Sequence, residues 1–255
     1  MLTAYSYAKL SVKYPNRGGT VTFVDNAFGH NLLSGSVNLM LWLSYLVTIS
    51  LYSVAFASYA ETFFNSVTPF LHHILISMAI VLPALINMVS SSFVGKSETL
   101  IVGLKLFLLL LIVLFGISHV EVSHFNPTNF GSSISIVVAG MIIFVAYEGF
   151  ELIAHAAEDI QNPEKNLPRA FYISVISVIG LYIFIAIITV GSVDEKALLE
   201  AKDYALAIAA KPSLGELGFI LVSFTALLAT FSAINATIYG NARLGYIIAV
   251  DGELP

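Results

Sequence analysis

Apolar runs recur along this chain at lengths suited to a bilayer rather than to a globular core. They lie at 35–60, 71–92, 99–117, 133–157, 168–191 and 216–240, each close to the ~18 to 25 residues that an α-helix needs to cross a hydrocarbon layer of ~30 Å. The pattern predicts six full spans and an all-α, multi-pass membrane protein. Met1–Tyr14 is also apolar or aromatic, with Lys9 and Lys13 near its end, but it is too short to span. It reads as the last half of a further helix, so the chain is expected to start inside one.

Composition supports this reading. With 58% hydrophobic and 11% charged residues and a mean hydropathy of +0.89, the chain lies outside the range of soluble domains. The net charge of −5 includes no basic run of the kind that tracks phosphates, which argues against nucleic-acid binding. No cysteine is present, excluding disulfides, thiolate metal ligation and a cysteine nucleophile. Lys9, Lys13, Arg17, Lys96, Lys165, Arg169 and Arg243 fall on one side if the spans alternate, and that side is expected to be cytoplasmic. There is no internal repeat and no linker long enough to separate soluble domains, so residues 1–255 read as one membrane domain.

The run 133–157 is interrupted in its middle by Tyr147-Glu148-Gly149, with Gly140 and Gly149 bracketing the first half of the broken helix. Unwinding a few residues there would free backbone carbonyls for an ammonium group and expose half-helix ends at the bilayer midplane. Glycine tolerates the backbone angles required. The competing reading is a continuous helix whose Glu148 and Glu151 face a neighbour, the glycines allowing close packing. Intramembrane carboxylates are costly, which favours binding.

Lys105 lies in LIVGLKLFLLLLIVLFG, with no acid in that run. It is six residues in from Thr99, roughly 9 Å at helical rise, a strained distance for snorkelling. Two functional readings are open: a lysine that exchanges a proton during a transport cycle, and a fixed cation where another carrier would bind sodium. Snorkelling or helix pairing is the structural alternative.

The loop EDIQNPEKNLPRA predicts a helix end, a turn at Asn162-Pro163 and a new helix from Pro168, since proline is accepted in a first turn. YPNRGGTVTFVDNAFG, from Tyr14 to Gly29, predicts a break and a mixed stretch that could line the cytoplasmic mouth. Its diglycine lacks the residues of a nucleotide loop. His119, Glu121, His124 and the pair His72-His73 could be imagined around a metal, but their spacing fits an exposed loop better, so neither metal nor cofactor is expected. An intramembrane hydrolase using Glu148, Glu151 or the histidines is a remote alternative, because nothing pairs them with a nucleophile.

In order, YPNRGG, a long helix with Trp42, GKSETLIVGLK, FVAYEGFE, EDIQNPEKNLPRA and ARLGYIIAVDGELP resemble the amino acid permeases of the amino acid, polyamine and organocation superfamily. The resemblance covers essentially the whole chain. It implies part of the fold built from two inverted five-helix repeats, with a broken helix 6, and an amino acid or amine as substrate. It implies a non-enzymatic, secondary active carrier in the cell membrane, working by alternating access as symporter or antiporter. Aligning the motifs makes Met1–Tyr14 the end of helix 2 and the six spans helices 3 to 8, so helix 1 and everything after helix 8 are expected to be missing. A truncated, non-transporting product or interaction partner is therefore an alternative. By the same resemblance, the carbonyls of Phe144, Val145, Ala146, Tyr147, Glu148 and Gly149 would face the substrate amino group. Phe144 or Val145 would stand at the gate, Ser44 and Tyr45 would line the pocket from helix 3, and Glu151 would gate or pair helices. Lys105 would couple transport to protons.

Overall fold

The computed structural model describes residues 1–89, 91–126, 131–250 and 252, and the side chains of all of these except 89, 91–98 and 202. Among the described residues the secondary structure is entirely helical. In chain order the helices are α1 (Leu2–Lys13), α2 (Thr20–Phe28), α3 (Leu32–Glu61), α4 (Pro69–Val89), α5 (Ser91–Gly116), α6 (Ser133–Ile143), α7 (Pro163–Ser192), α8 (Glu195–Ala201) and α9 (Ala205–Val250). Among the described residues six segments are long and apolar enough to cross a membrane: Leu32–Glu61, Pro69–Met88, Thr99–His119, Ser133–Asp159, Pro163–Ser192 and Ala205–Val250. The protein is a multi-pass membrane protein.

Local chemistry explains three of the helix starts. Asn31 Oδ1 accepts from the amides of Leu33 at 2.9 Å and Ser34 at 3.2 Å, while Ser34 Oγ accepts from the Asn31 amide at 2.9 Å. That reciprocal cap satisfies donors that a helix start leaves unpaired. Thr68 and Ser132 cap α4 and α6 in the same way, through Leu71 and Ser135.

Burial runs opposite to that of a soluble protein. Large apolar side chains such as Met40, Leu100, Met141 and Ile173 are exposed, while Ser11, Ser34, Asn38, Ser53 and Ser223 are completely buried. Hydrocarbon accepts the former, and small residues let helices approach closely.

The chain divides into two compact units, with boundaries inside the long helices α3, α7 and α9. The first comprises 1–47, 131–181 and 239–255. Its core joins Ala8 of α1, Phe23 of α2, Ala154, Ala157, and Leu167 and Phe171 of α7, and a second cluster holds Val21, Tyr45, Leu244 and Ile248. The second unit comprises 48–130 and 182–238. Its clusters are Tyr59, Ile112, Ala207, Ala210 and Val222, then Ile49, Ala79 and Ile234, and Ala57, Ala60 and Leu75.

One expectation needs correction. The helix predicted from Pro168 begins at Pro163, and Pro168 lies inside it. Asn162 takes a positive φ of 50°, leaving Pro163 as the first helical residue, where its missing N–H costs nothing. Between the runs at 71–92 and 99–117 the backbone is already helical, since α5 starts at Ser91. Within the mixed stretch Tyr14–Gly29, residues 20–28 form α2. The start predicted at 216 coincides with a kink, since Gly215 has φ 62° and ψ −152° inside α9.

Candidate functional site

The fourth membrane segment is broken where the sequence changes character. Regular α-helix ends at Ile143, and Phe144–Tyr147 tighten into a 3-10 turn. Glu148 is extended at φ −60° and ψ 146°, Gly149 is left-handed at φ 112°, and Phe150–Asp159 continue with 3-10 winding. A Cβ on Gly149 would meet no atom within 4 Å, so glycine is needed there for its backbone angle rather than for space. A 3-10 stretch of ten residues is unusual.

Glu151 fastens the second half of this segment. Its Oε2 accepts from the Gly149 amide at 2.8 Å, placing the carboxylate at a helix start, where backbone donors and dipole favour it. Its Oε1 accepts from the Tyr45 hydroxyl of α3 at 3.2 Å. Both side chains are buried, Glu151 at 6% and Tyr45 at 1% exposure.

A cavity of about 220 Å³ adjoins the break, and Phe144, Val145, Glu148 and Glu151 are among its lining residues. Tyr7, Leu41 and Phe150 complete its wall with Thr3. A neighbouring cavity of about 330 Å³ shares Phe144 and Phe150 and adds Tyr147 and Val175. Tyr7 is held between rings, 5.6 Å from Phe150 and 5.9 Å from Phe23, and its hydroxyl lies 2.9 Å from Thr20 Oγ1.

The predicted site residues therefore fall into four groups. Phe144–Gly149 form the break. Tyr45 is joined to Glu151, which lines the cavity. Ser44 donates to the Leu41 carbonyl at 2.7 Å, and the α3 side chain on the cavity is Leu41 itself, one turn earlier. Lys105 belongs to the second unit, where its Nζ donates to Ser232 Oγ of α9 at 3.3 Å. Sequence reasoning missed Tyr7, Leu41 and Phe150 as wall residues. Phe150 stood inside the quoted motif, and Leu41 lies one turn of α3 before Tyr45. Nothing in the sequence distinguished Tyr7 from its aromatic neighbours.

Beyond the break, the segment is tied to the loop at Tyr14–Gly19. His155 Nδ1 donates to the Arg17 carbonyl at 2.9 Å. The Arg17 guanidinium meets Glu158 at 3.0 Å and Asp159 at 3.4 Å, so these residues share one end of the unit. Gly19, at φ 52°, packs so closely on His155 that a Cβ would lie 2.8 Å from its ring. The Lys96 side chain lies outside the described residues. His124 stands 3.9 Å from Glu121 and 4.0 Å from Asp194, and no group of three or more His, Cys, Asp or Glu among the described residues could hold a metal ion.

Residues 1–255 match a family model described as amino acid permease. An uncharacterized protein of Methanocaldococcus jannaschii is 39% identical over the whole chain, which spans 59% of that protein. The inner membrane transport protein YbaT of Escherichia coli is 33% identical, again over the whole chain and 60% of the relative. Asc-type amino acid transporter 1 of Mus musculus is 28% identical over the whole chain and half of its own length. The chain thus spans about half to three-fifths of the curated relatives it matches.

Proposed function

Because the chain belongs to the amino acid permease family, we propose that the protein moves an amino acid or a related amine across the cell membrane by alternating access, coupled to protons. The observation that carries this reading is the break at Phe144–Gly149, with a left-handed Gly149 and an adjoining cavity. Ending a helix leaves carbonyls without intrahelical donors, and starting another leaves amides without acceptors. A zwitterion offers an ammonium group for the former and a carboxylate for the latter. Phe144, Val145 and Tyr147 supply the apolar surface around the carbonyls. The name of the mouse relative, an amino acid transporter, supports the same substrate class, and that of the Escherichia coli relative supports membrane transport.

In this reading Glu151 and Tyr45 act together. Their bond ties the second half of the broken segment to α3, so releasing it lets that half move while Gly149 serves as the pivot. Lys105 is the coupling group: its ammonium is held at Ser232, and loss of its proton weakens that contact. The test is uptake of radiolabelled amino acids by proteoliposomes containing the complete polypeptide as the cell makes it. Lys105→Met should abolish the pH dependence of uptake, and an unchanged pH profile would remove Lys105 from the mechanism. Absence of uptake for all amino acids and polyamines would overturn the transport reading.

A further inference from the structure

The second unit contains a polar seam in otherwise apolar surroundings. Asn87, near the end of α4, donates through Nδ2 to Asn235 Oδ1 of α9 at 2.7 Å and to the carbonyl of Pro83 at 2.9 Å. Asn235 is 6% exposed. One turn before it on α9 stands Ser232, 1% exposed, whose hydroxyl accepts from Lys105 of α5. Residues three apart on a helix share a face. Two contacts made by one face of α9 therefore reach two different helices.

We propose that Asn87 is a positioning residue: by holding Asn235 it fixes the height and rotation of α9, and so sets where Ser232 meets the Lys105 ammonium. An apolar cluster also joins α4 and α9 here, with Ala79 and Ile80 against Ile234 and Ile238. Such contacts are non-directional and tolerate small slides, whereas an amide-to-amide bond weakens as its distance and angle are lost. Moving Ser232 away from Lys105 along or around the α9 axis breaks the Asn87 bond as well. Asn87 Oδ1, moreover, is buried without a hydrogen-bond partner among the described residues. A residue serving packing alone would avoid that cost by being apolar.

The charges that share this environment are few. On α5 beyond Thr99, Lys105 is the one charged side chain, and α9 carries none between Glu216 and Arg243. α4 has His72 and His73 at its start, α3 has Tyr52, Tyr59 and Glu61, α7 has Tyr182 within this unit, and Asp203 accepts from Ser58 of α3.

The inference rests on the role proposed for Lys105, and the experiment separates the two. Uptake of radiolabelled alanine, serine and leucine is measured against pH in proteoliposomes of the complete polypeptide, for wild type, Lys105→Met, Asn87→Leu, Asn87→Ala and Asn87→Gln, each first checked for monodisperse elution. Asn87→Leu and Asn87→Ala, which lack the donor and add no charge, should displace the pH midpoint of uptake by roughly half a unit, the size expected when an ordinary intramembrane contact is lost from one protonation state. Asn87→Gln, which keeps a donor, should restore part of the displacement. If Asn87→Leu does not fold, the Ala and Gln variants decide alone. Variants that lower uptake equally at every pH would make Asn87 merely structural and overturn the inference. A Lys105→Met profile identical to wild type would instead overturn the coupling role, and absence of uptake by wild type would remove both.

Discussion

The Tyr45 hydroxyl donates to Glu151 Oε1 at 3.2 Å across the face between α3 and the broken segment. The bond links two side chains that are far apart in sequence and both buried. Tyr45→Phe removes the donor while keeping the ring that packs with Val21, Leu244 and Ile248. The expected loss is about 1–2 kcal/mol of stability, the usual cost of deleting one partner of a buried hydrogen bond. A thermal melt of the detergent-purified protein checks it, and an unchanged midpoint would mean that Glu151 is satisfied without Tyr45.

Gly149 and Gly140 flank the same break but answer to different constraints. Gly149→Ala meets open space yet must hold φ 112°, so it should cost about 1–3 kcal/mol and depress uptake. Gly140 lies inside α6 and also faces open space. Gly140→Ala should be neutral or stabilise by up to ~1 kcal/mol through helix propensity. Melting curves of the two variants side by side test the contrast, and equal effects would refute it.

The close approach of Gly19 to His155 makes a third prediction. Gly19→Ala forces a Cβ to 2.8 Å from the imidazole and also strains φ at 52°. His155→Ala should relieve the first cost and leave the second. A double-mutant cycle measured by thermal stability should therefore show a coupling of at least ~0.5 kcal/mol. Additive effects would mean that the ring moves aside freely.

Arg17 behaves differently, since its pairs with Glu158 and Asp159 are about half exposed. Arg17→Ala should change stability by no more than ~1 kcal/mol, and high salt should erase the difference. A large, salt-independent loss would show that the loop depends on the guanidinium for more than charge.

Much of the fold was legible because a bilayer imposes one length on every span. The six runs matched six membrane-length segments, with Leu32–Glu61 extending the run at 35–60 by three residues at its start and one at its end. What escaped the apolar pattern was helix made of polar residues: the first turns of α5, the amphipathic α2, and the start of α7 at Pro163 rather than Pro168. The site was legible where it required a special backbone, as at Gly149, and opaque where it depended on rotation about a helix axis. Ser44 and Leu41 occupy one helix, and only the structure tells which of them meets the cavity.

The winding of Phe150–Asp159 also stores length. At 3-10 rise its ten residues extend about 20 Å, whereas the same residues at α-helical rise extend about 15 Å. The two forms differ by close to one α-helical turn. Rewinding would shorten the segment like a piston, drawing Asp159 and the Arg17 loop bound to it toward Gly149, so that axial travel from backbone pitch adds to any swing about Gly149.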